Sequence, residues 1–203
     1  YGGFSTLGLM GVANRITNII TFVITAFQMG WSPFAFSLVK EEKLAKATYS
    51  KVLTIFLLLL FTSTVGISIF AREIIIILAT SKYEASAVAV PFLALSSVTW
   101  GSFYIIAIGY SIARKSYHTT LAVALAASLT LTGNILLIPR WGILGAAIAT
   151  FIGNLIALVY AYFASQHYFK VTYEYKRLFM LILLASVAIA FGMWSDRIWM
   201  QWS

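Results

Sequence analysis

A cluster of polar side chains lies near the start of the chain, where Asn14 and Arg15 are followed one helical turn later by Asn18. A guanidinium group presents a planar fork of hydrogen-bond donors that matches the oxygens of a phosphate. The cluster therefore predicts a binding site for a pyrophosphate or an anionic sugar. The alternative is an arginine whose head group extends toward lipid headgroups while its stem stays on apolar surface.

A second candidate group follows in the same apolar stretch, where Gln28 precedes Trp31 and Pro33. Proline removes a backbone donor and can kink a helix, so Pro33 is a candidate hinge for a helix that bends. Gln28 is then a candidate substrate-binding residue. The alternative is a packing kink, with Gln28 hydrogen-bonded to a neighbouring helix.

The adjacent pair Arg114 and Lys115 is a further candidate for binding an anionic substrate, because two cations side by side can attract a phosphate group. The alternative is a role in membrane topology alone.

Other polar residues in the apolar stretches are expected to serve packing. Asn134 and Asn154 can hydrogen-bond between helices, which accounts for both without a catalytic role. Gly145, Ala149 and Gly153 recur every four residues and predict a stripe along which another backbone approaches closely.

Catalytic chemistry is not expected. The chain contains no cysteine, and neither His118 nor His167 has a carboxylate or second histidine at ligand spacing, so no metal and no cofactor are predicted. The long apolar stretches hold neither an Asp pair nor a Ser with a buried His, and we predict that the protein is not an enzyme. They also lack any Asp or Glu, so a coupling proton or sodium ion is expected to bind outside this chain.

The elements that position these residues follow from composition. Hydrophobic residues make up 61% of the 203 and charged residues 10%, whereas soluble domains carry about 25% charged residues. A soluble fold is excluded. We predict an all-α, polytopic transmembrane helix bundle that forms a single domain of six spans. The predicted spans are about 12–39, 52–71, 86–113, 117–138, 142–165 and 178–196.

Basic residues predict how the bundle is oriented. The connection Lys40–Lys51 carries four, the pair Arg114 and Lys115 two, and residues 170–177 three, against five on the other side. By the positive-inside rule the first set is cytoplasmic, so the chain enters from outside and ends outside. We expect 40–51 to form an interfacial turn of helix and 72–85 to lie along the outer interface. Because the charges flank apolar runs, they indicate contact with the lipid bilayer rather than with nucleic acid.

Three segments carry a family resemblance. The first is Gly8–Arg15 together with Gln28–Phe34, the second is Asn134–Thr150, and the third is Glu73–Leu78 with Tyr83. They resemble the polysaccharide and O-antigen repeat-unit flippases (oligosaccharide flippases) of the multidrug/oligosaccharidyl-lipid/polysaccharide exporter superfamily. That family has fourteen helices with both termini cytoplasmic, and the resemblance implies a C-terminal fragment covering helices eight to thirteen.

The resemblance implies a transporter in the bacterial cytoplasmic (inner) membrane, serving polysaccharide biosynthesis in the cell envelope. Its substrate would be an undecaprenyl-diphosphate-linked oligosaccharide, held in a cationic cavity between two lobes. The alternatives are a drug or cation antiporter, or a lipid II flippase, of the same superfamily. A membrane glycan polymerase or ligase is a further alternative, although it would be expected to carry a large outer loop. The longest outer connection here is about a dozen residues.

Overall fold

The computed structural model describes the backbone of residues 3–202 and the side chains of residues 8–192. Within this part the chain is helical and contains no strand, which confirms the all-α prediction. The helices are α1 (Gly3–Ser37), α2 (Glu42–Ile69), α3 (Ala71–Leu78), α4 (Val90–Ile106), α5 (Ile108–Ile112), α6 (Tyr117–Tyr168) and α7 (Tyr175–Trp202), with a 3-10 helix at Ser81–Ala89 before α4.

Five helical segments of the described chain are long and apolar enough to cross a membrane, and the 52-residue α6 is far longer than one crossing needs. A straight helix of that length would extend about 78 Å, against a hydrocarbon core of about 30 Å. The backbone leaves helical geometry at Gly142, where φ is 55° and ψ is −130°. A positive φ of this kind is readily adopted by glycine alone.

The two arms of α6, residues 117–141 and 143–168, pack against each other as an antiparallel hairpin. A Cβ atom on Gly133 would lie 2.8 Å from that of Ala149, although the two residues would be about 24 Å apart along a continuous helix. A Cβ on Gly145 would overlap the Leu137 carbonyl oxygen, so only glycine fits there. The arms correspond to the predicted spans 117–138 and 142–165, and six apolar crossings result.

The core of the bundle lies around α4. About two-thirds of its apolar window is buried, against about one-sixth for α7. Gly101 allows α4 to approach α1 and α2 closely, because a Cβ there would lie 3.1 Å from Ile24 and 3.2 Å from Leu60. The helix therefore packs on both neighbours with little space between them.

Three connections meet at one end of the bundle, which we call the basic end: residues 38–41, 113–116 and 169–174. The Tyr49 hydroxyl donates to the carbonyl of Ala35 at 2.6 Å, and the ring of Tyr49 lies 6.0 Å from that of Phe169. The Lys46 ammonium lies 5.1 Å from the Phe169 ring centroid. These three connections and the helix ends next to them carry nine of the 14 Lys and Arg residues.

The opposite end of the bundle is covered by two short helical elements, α3 and the 3-10 helix. Arg72 of α3 is paired to Glu84 of the 3-10 helix at 2.5 Å, and Ile75 is fully buried. This is the stretch expected to lie along the interface. Of residues 40–51, expected to form an interfacial turn of helix, 42–51 are helical and form the first turns of α2, which extend the helix past the apolar core.

Candidate functional site

One face of α1 carries a continuous line of polar side chains. Its members recur at alternating spacings of four and three residues, which places them within one narrow arc of an α-helix. This polar stripe consists of Asn14, Asn18, Thr21, Thr25, Gln28 and Ser32. From Asn14 to Ser32 it rises about 27 Å, close to the thickness of the hydrocarbon core. Among the described residues nothing covers it, since all members are exposed except Gln28, which is half-buried.

The amides decide what the polar stripe can face. The hydroxyl of Thr25 donates to the carbonyl of Thr21 at 2.9 Å and is satisfied within its own helix. Asn14, Asn18 and Gln28 each carry two donors and an acceptor that need partners. Unpaired groups of this kind cost several kcal/mol each in lipid, by the order of magnitude set by transfer energies. The stripe is therefore suited to water or a polar ligand.

Next to the polar stripe, α1 carries apolar side chains that are equally exposed. Ile19, Phe22 and Met29 are 55%, 77% and 76% exposed, respectively, as expected of side chains that contact lipid tails. Phe22 and Met29 border the stripe, and Ile19 lies farther round the helix. The helix thus carries exposed polar and apolar surfaces side by side.

Beside the polar stripe lies a cavity of about 490 Å³, which we call the central pocket. It opens between α1 and the first arm of α6, and its floor is formed by α4 and the second arm. Its polar lining comprises Thr21, Ser96, Ser97, Trp100, Thr130, Asn134 and Asn154. These residues lie near the middle of their helices, so the pocket lies at mid-height in the bundle.

Two amides shape the central pocket. The Asn154 carboxamide donates to the Ser96 hydroxyl at 2.8 Å and so ties the second arm of α6 to α4. The Asn134 carboxamide oxygen has no hydrogen-bond partner among the described residues. Asn154 thus acts as the interhelical link that the sequence suggested, whereas Asn134 has hydrogen-bonding capacity left for a ligand.

The central pocket is polar without being charged, because none of the described residues that line it is Asp, Glu, Lys, Arg or His. Hydroxyls, amides and one indole offer donors and acceptors in an apolar surround, the chemistry that orients polar, uncharged ligands. Trp100 is held in place by stacking on Phe103, with the ring centroids 5.1 Å apart. This arrangement is suited to binding and carries no general acid or base.

Arg15 does not join the polar stripe. Successive residues of a helix are rotated by about 100°, so Arg15 points to a different side from Asn14. It lines a separate cavity of about 430 Å³ together with Gly11 and Tyr83, near the end of α3. The structure thus places Asn14 and Asn18 on one surface and Arg15 on another.

The remaining sequence candidates are spread out. Arg114 and Lys115 are exposed at the basic end and do not line the central pocket, and Arg114 adopts a φ of 57° as α5 ends. Gln28 lies on the polar stripe. Pro33 is exposed and α1 continues through it to Ser37, so the proline lies in the last turns of the helix.

Several site residues were missed by sequence reasoning. Thr21, Thr25 and Ser32 could have been found, because their spacing from Asn14 and Asn18 is visible in the sequence. Ser96, Ser97 and Trp100 could not, since they become part of a site only when α4 packs against α1 and α6.

Fold and site together define a multi-pass, all-helical membrane protein with a neutral polar pocket at mid-height. Comparison of the chain with protein-family models, with curated proteins and with solved structures finds no match.

Proposed function

We propose that the chain is part of a transporter that moves undecaprenyl-diphosphate-linked oligosaccharides across the bacterial cytoplasmic membrane. The observation that carries the proposal is the polar stripe of α1 beside the neutral central pocket. Together they offer a polar surface through most of the membrane thickness. A glycan needs such a surface, since its hydroxyls lose hydrogen bonds to water in lipid.

The neutral lining favours a glycan over the cationic substrate of a drug antiporter. A buried cation is stabilised by a carboxylate, and the described residues of the central pocket include none. The described carboxylates, all glutamates, lie at helix ends or in connections. The proposal accordingly assigns any coupling proton or sodium ion to a site outside this chain.

The proposal extends to the diphosphate. Arg15 in its own cavity and the pair Arg114 and Lys115 lie near opposite ends of the bundle, where a diphosphate would leave or enter the membrane. Guanidinium and ammonium groups supply the charge-assisted hydrogen bonds that phosphate oxygens accept. In this scheme the glycan passes along the polar stripe while the prenyl tail stays in lipid.

The test is a flipping assay with the complete transporter that contains this chain, in liposomes that contain a fluorescent lipid-linked oligosaccharide. Movement is read as the fraction of label protected from a membrane-impermeant quencher. We expect Thr21→Val and Asn134→Leu each to slow flipping about tenfold, the effect of about 1.4 kcal/mol from a lost hydrogen bond.

Thr132→Val is the matched control, because Thr132 is exposed on the first arm of α6, outside the central pocket, and bonds its own helix at Ser128. It should flip at the wild-type rate. Flipping no faster than in protein-free liposomes would contradict the proposed function, and equal losses in all three variants would contradict the site.

A further inference from the structure

The connection between α6 and α7 is held in one conformation by its own residues. Gln166 accepts a hydrogen bond from the Val171 amide at 3.0 Å and donates one to the Val171 carbonyl at 2.7 Å. Val171 and Tyr173 insert into the core and are 3% and 5% exposed. Because side chains alternate along this extended segment, Lys170 and Thr172 point outward and are exposed.

This fixed segment forms one wall of a cavity of about 370 Å³, which we call the rim pocket. Lys170 contributes an ammonium group and Thr172 a hydroxyl. From the helices come Tyr162 and Tyr175, whose hydroxyls are hydrogen-bonded to each other at 2.7 Å. That bond uses the proton of one tyrosine, so the Lys170 ammonium, the Thr172 hydroxyl and the other tyrosine hydroxyl remain to donate hydrogen bonds to an anionic oxygen.

The electrostatic surroundings of the rim pocket are basic. The nearest carboxylate is that of Glu174, and it is paired with the Arg177 guanidinium at 2.8 Å. Lys176 adds a further exposed cation next to the pocket. The charges of Glu174 and Arg177 cancel, so Lys170 and Lys176 give the region a net positive charge. A positive region favours an anionic ligand over a cationic or neutral one.

An apolar surface adjoins these polar groups. Phe163 lines the rim pocket and is 67% exposed. Phe179 lies one turn after Tyr175 on the same side of α7 and is 69% exposed. A ligand at this position thus meets polar donors at one end and exposed aromatic rings at the other, as at the boundary between headgroups and acyl chains.

We propose that the rim pocket binds the phosphate group of an anionic membrane phospholipid, with its acyl chains against Phe163 and Phe179. The site is independent of the proposed transport function, because it shares no residue with the central pocket. It would fix the basic end of the bundle at the headgroup layer.

The test is binding of phosphatidylglycerol, with phosphatidylcholine as the zwitterionic comparison, to the full chain in detergent, measured by native mass spectrometry. We expect preferential retention of phosphatidylglycerol and an affinity about tenfold lower for Lys170→Gln, as for a lost charge-assisted hydrogen bond. Tyr175→Phe, which removes one hydroxyl and keeps the ring, should lower the affinity by a smaller factor. Both positions are exposed, so folding is not at risk.

Lys176→Gln is the matched control. Lys176 carries the same charge as Lys170 and follows it by six residues, but its side chain does not line the rim pocket. It should keep most of the wild-type affinity. Equal losses for Lys170→Gln and Lys176→Gln would show attraction to a diffuse basic surface and overturn the site. Equal binding of the two lipids, or displacement of phosphatidylglycerol by an equal concentration of inorganic phosphate, would overturn the assignment to a phospholipid.

Discussion

Two stripes of regularly spaced residues, one on α1 and one on the second arm of α6, have different environments. On α6, Gly145, Ala149 and Gly153 are covered by the first arm, so closely that backbone meets backbone. On α1, the polar stripe is uncovered by the described chain and borders the central pocket. The same helical periodicity thus serves packing where the residues are small and a polar surface where they carry amides and hydroxyls.

The largest expected effect is on the covered stripe. Gly145→Ala places a methyl group over the carbonyl of Leu137, and relieving that overlap separates the arms of α6. We expect a loss of about 1–3 kcal/mol in stability, the usual cost of overpacking. Thermal unfolding in detergent measures it.

Gly30→Ala on α1 is the control, because nothing lies within 4 Å of a Cβ at that position. It should stabilise the protein by about 0.5–1 kcal/mol through helix propensity. If both substitutions shifted the unfolding temperature in the same direction, the close approach within the hairpin would be contradicted.

A smaller loss of stability is expected at Asn154, where the packed second arm of α6 meets the polar central pocket. Its carboxamide lines the central pocket and also bonds the Ser96 hydroxyl at 2.8 Å. Asn154→Leu should cost about 0.6–1.7 kcal/mol, the range for hydrogen bonds between membrane helices. A double-mutant cycle with Ser96→Ala should recover a coupling energy of that size. Strictly additive single effects would mean that the bond contributes nothing.

The smallest effect is expected outside both stripes, at the basic end. The nearby Thr54 hydroxyl, with the Arg177 guanidinium and the Lys51 ammonium, lowers the pKa of Glu174 below its usual value of 4.5. A carboxylate with a lowered pKa stabilises the fold at neutral pH, and the contribution is lost as pH falls below about 4.5 through the folded-state pKa.

Unfolding temperatures measured between about pH 3 and pH 6 test this dependence. Glu174→Gln should show a slightly shallower decline on acidification than wild type. Glu73→Gln, at the opposite end and also exposed, should follow the wild-type curve. Identical curves for all three proteins would remove Glu174 as a contributor.

Much of the fold could be predicted, because lipid imposes a strong constraint. Charges are excluded from the spans, so the apolar stretches predicted helices, and the break between the predicted spans 117–138 and 142–165 predicted the turn of α6. The charge-free stretches do not by themselves give the helix ends: α2 begins at Glu42, ahead of the predicted span 52–71, since its charged first turns extend the helix beyond the apolar core.

The candidate site was only partly predictable. Asn14, Asn18 and Gln28 could be recognised because amides are rare in apolar stretches, and the structure places them on one face. Arg15 was grouped with them by sequence proximity, although helical rotation carries it to another cavity. The central pocket depends on contacts between α1, α4 and α6, and local sequence carries no signal for such contacts.

The claim that the polar stripe of α1 faces a water-filled path can be tested directly by cysteine accessibility, because the chain contains no cysteine of its own. Single cysteines at Asn18, Thr25 and Ser32 would be compared with cysteines at Ile19 and Ala26, which are exposed about 100° or more round the helix from Thr25, using a membrane-impermeant maleimide on protein in liposomes. We predict rapid labelling along the stripe and little at the two apolar positions. Labelling of Ile19 and Ala26 cysteines as fast as those of the stripe, or protection of all five, would contradict the account.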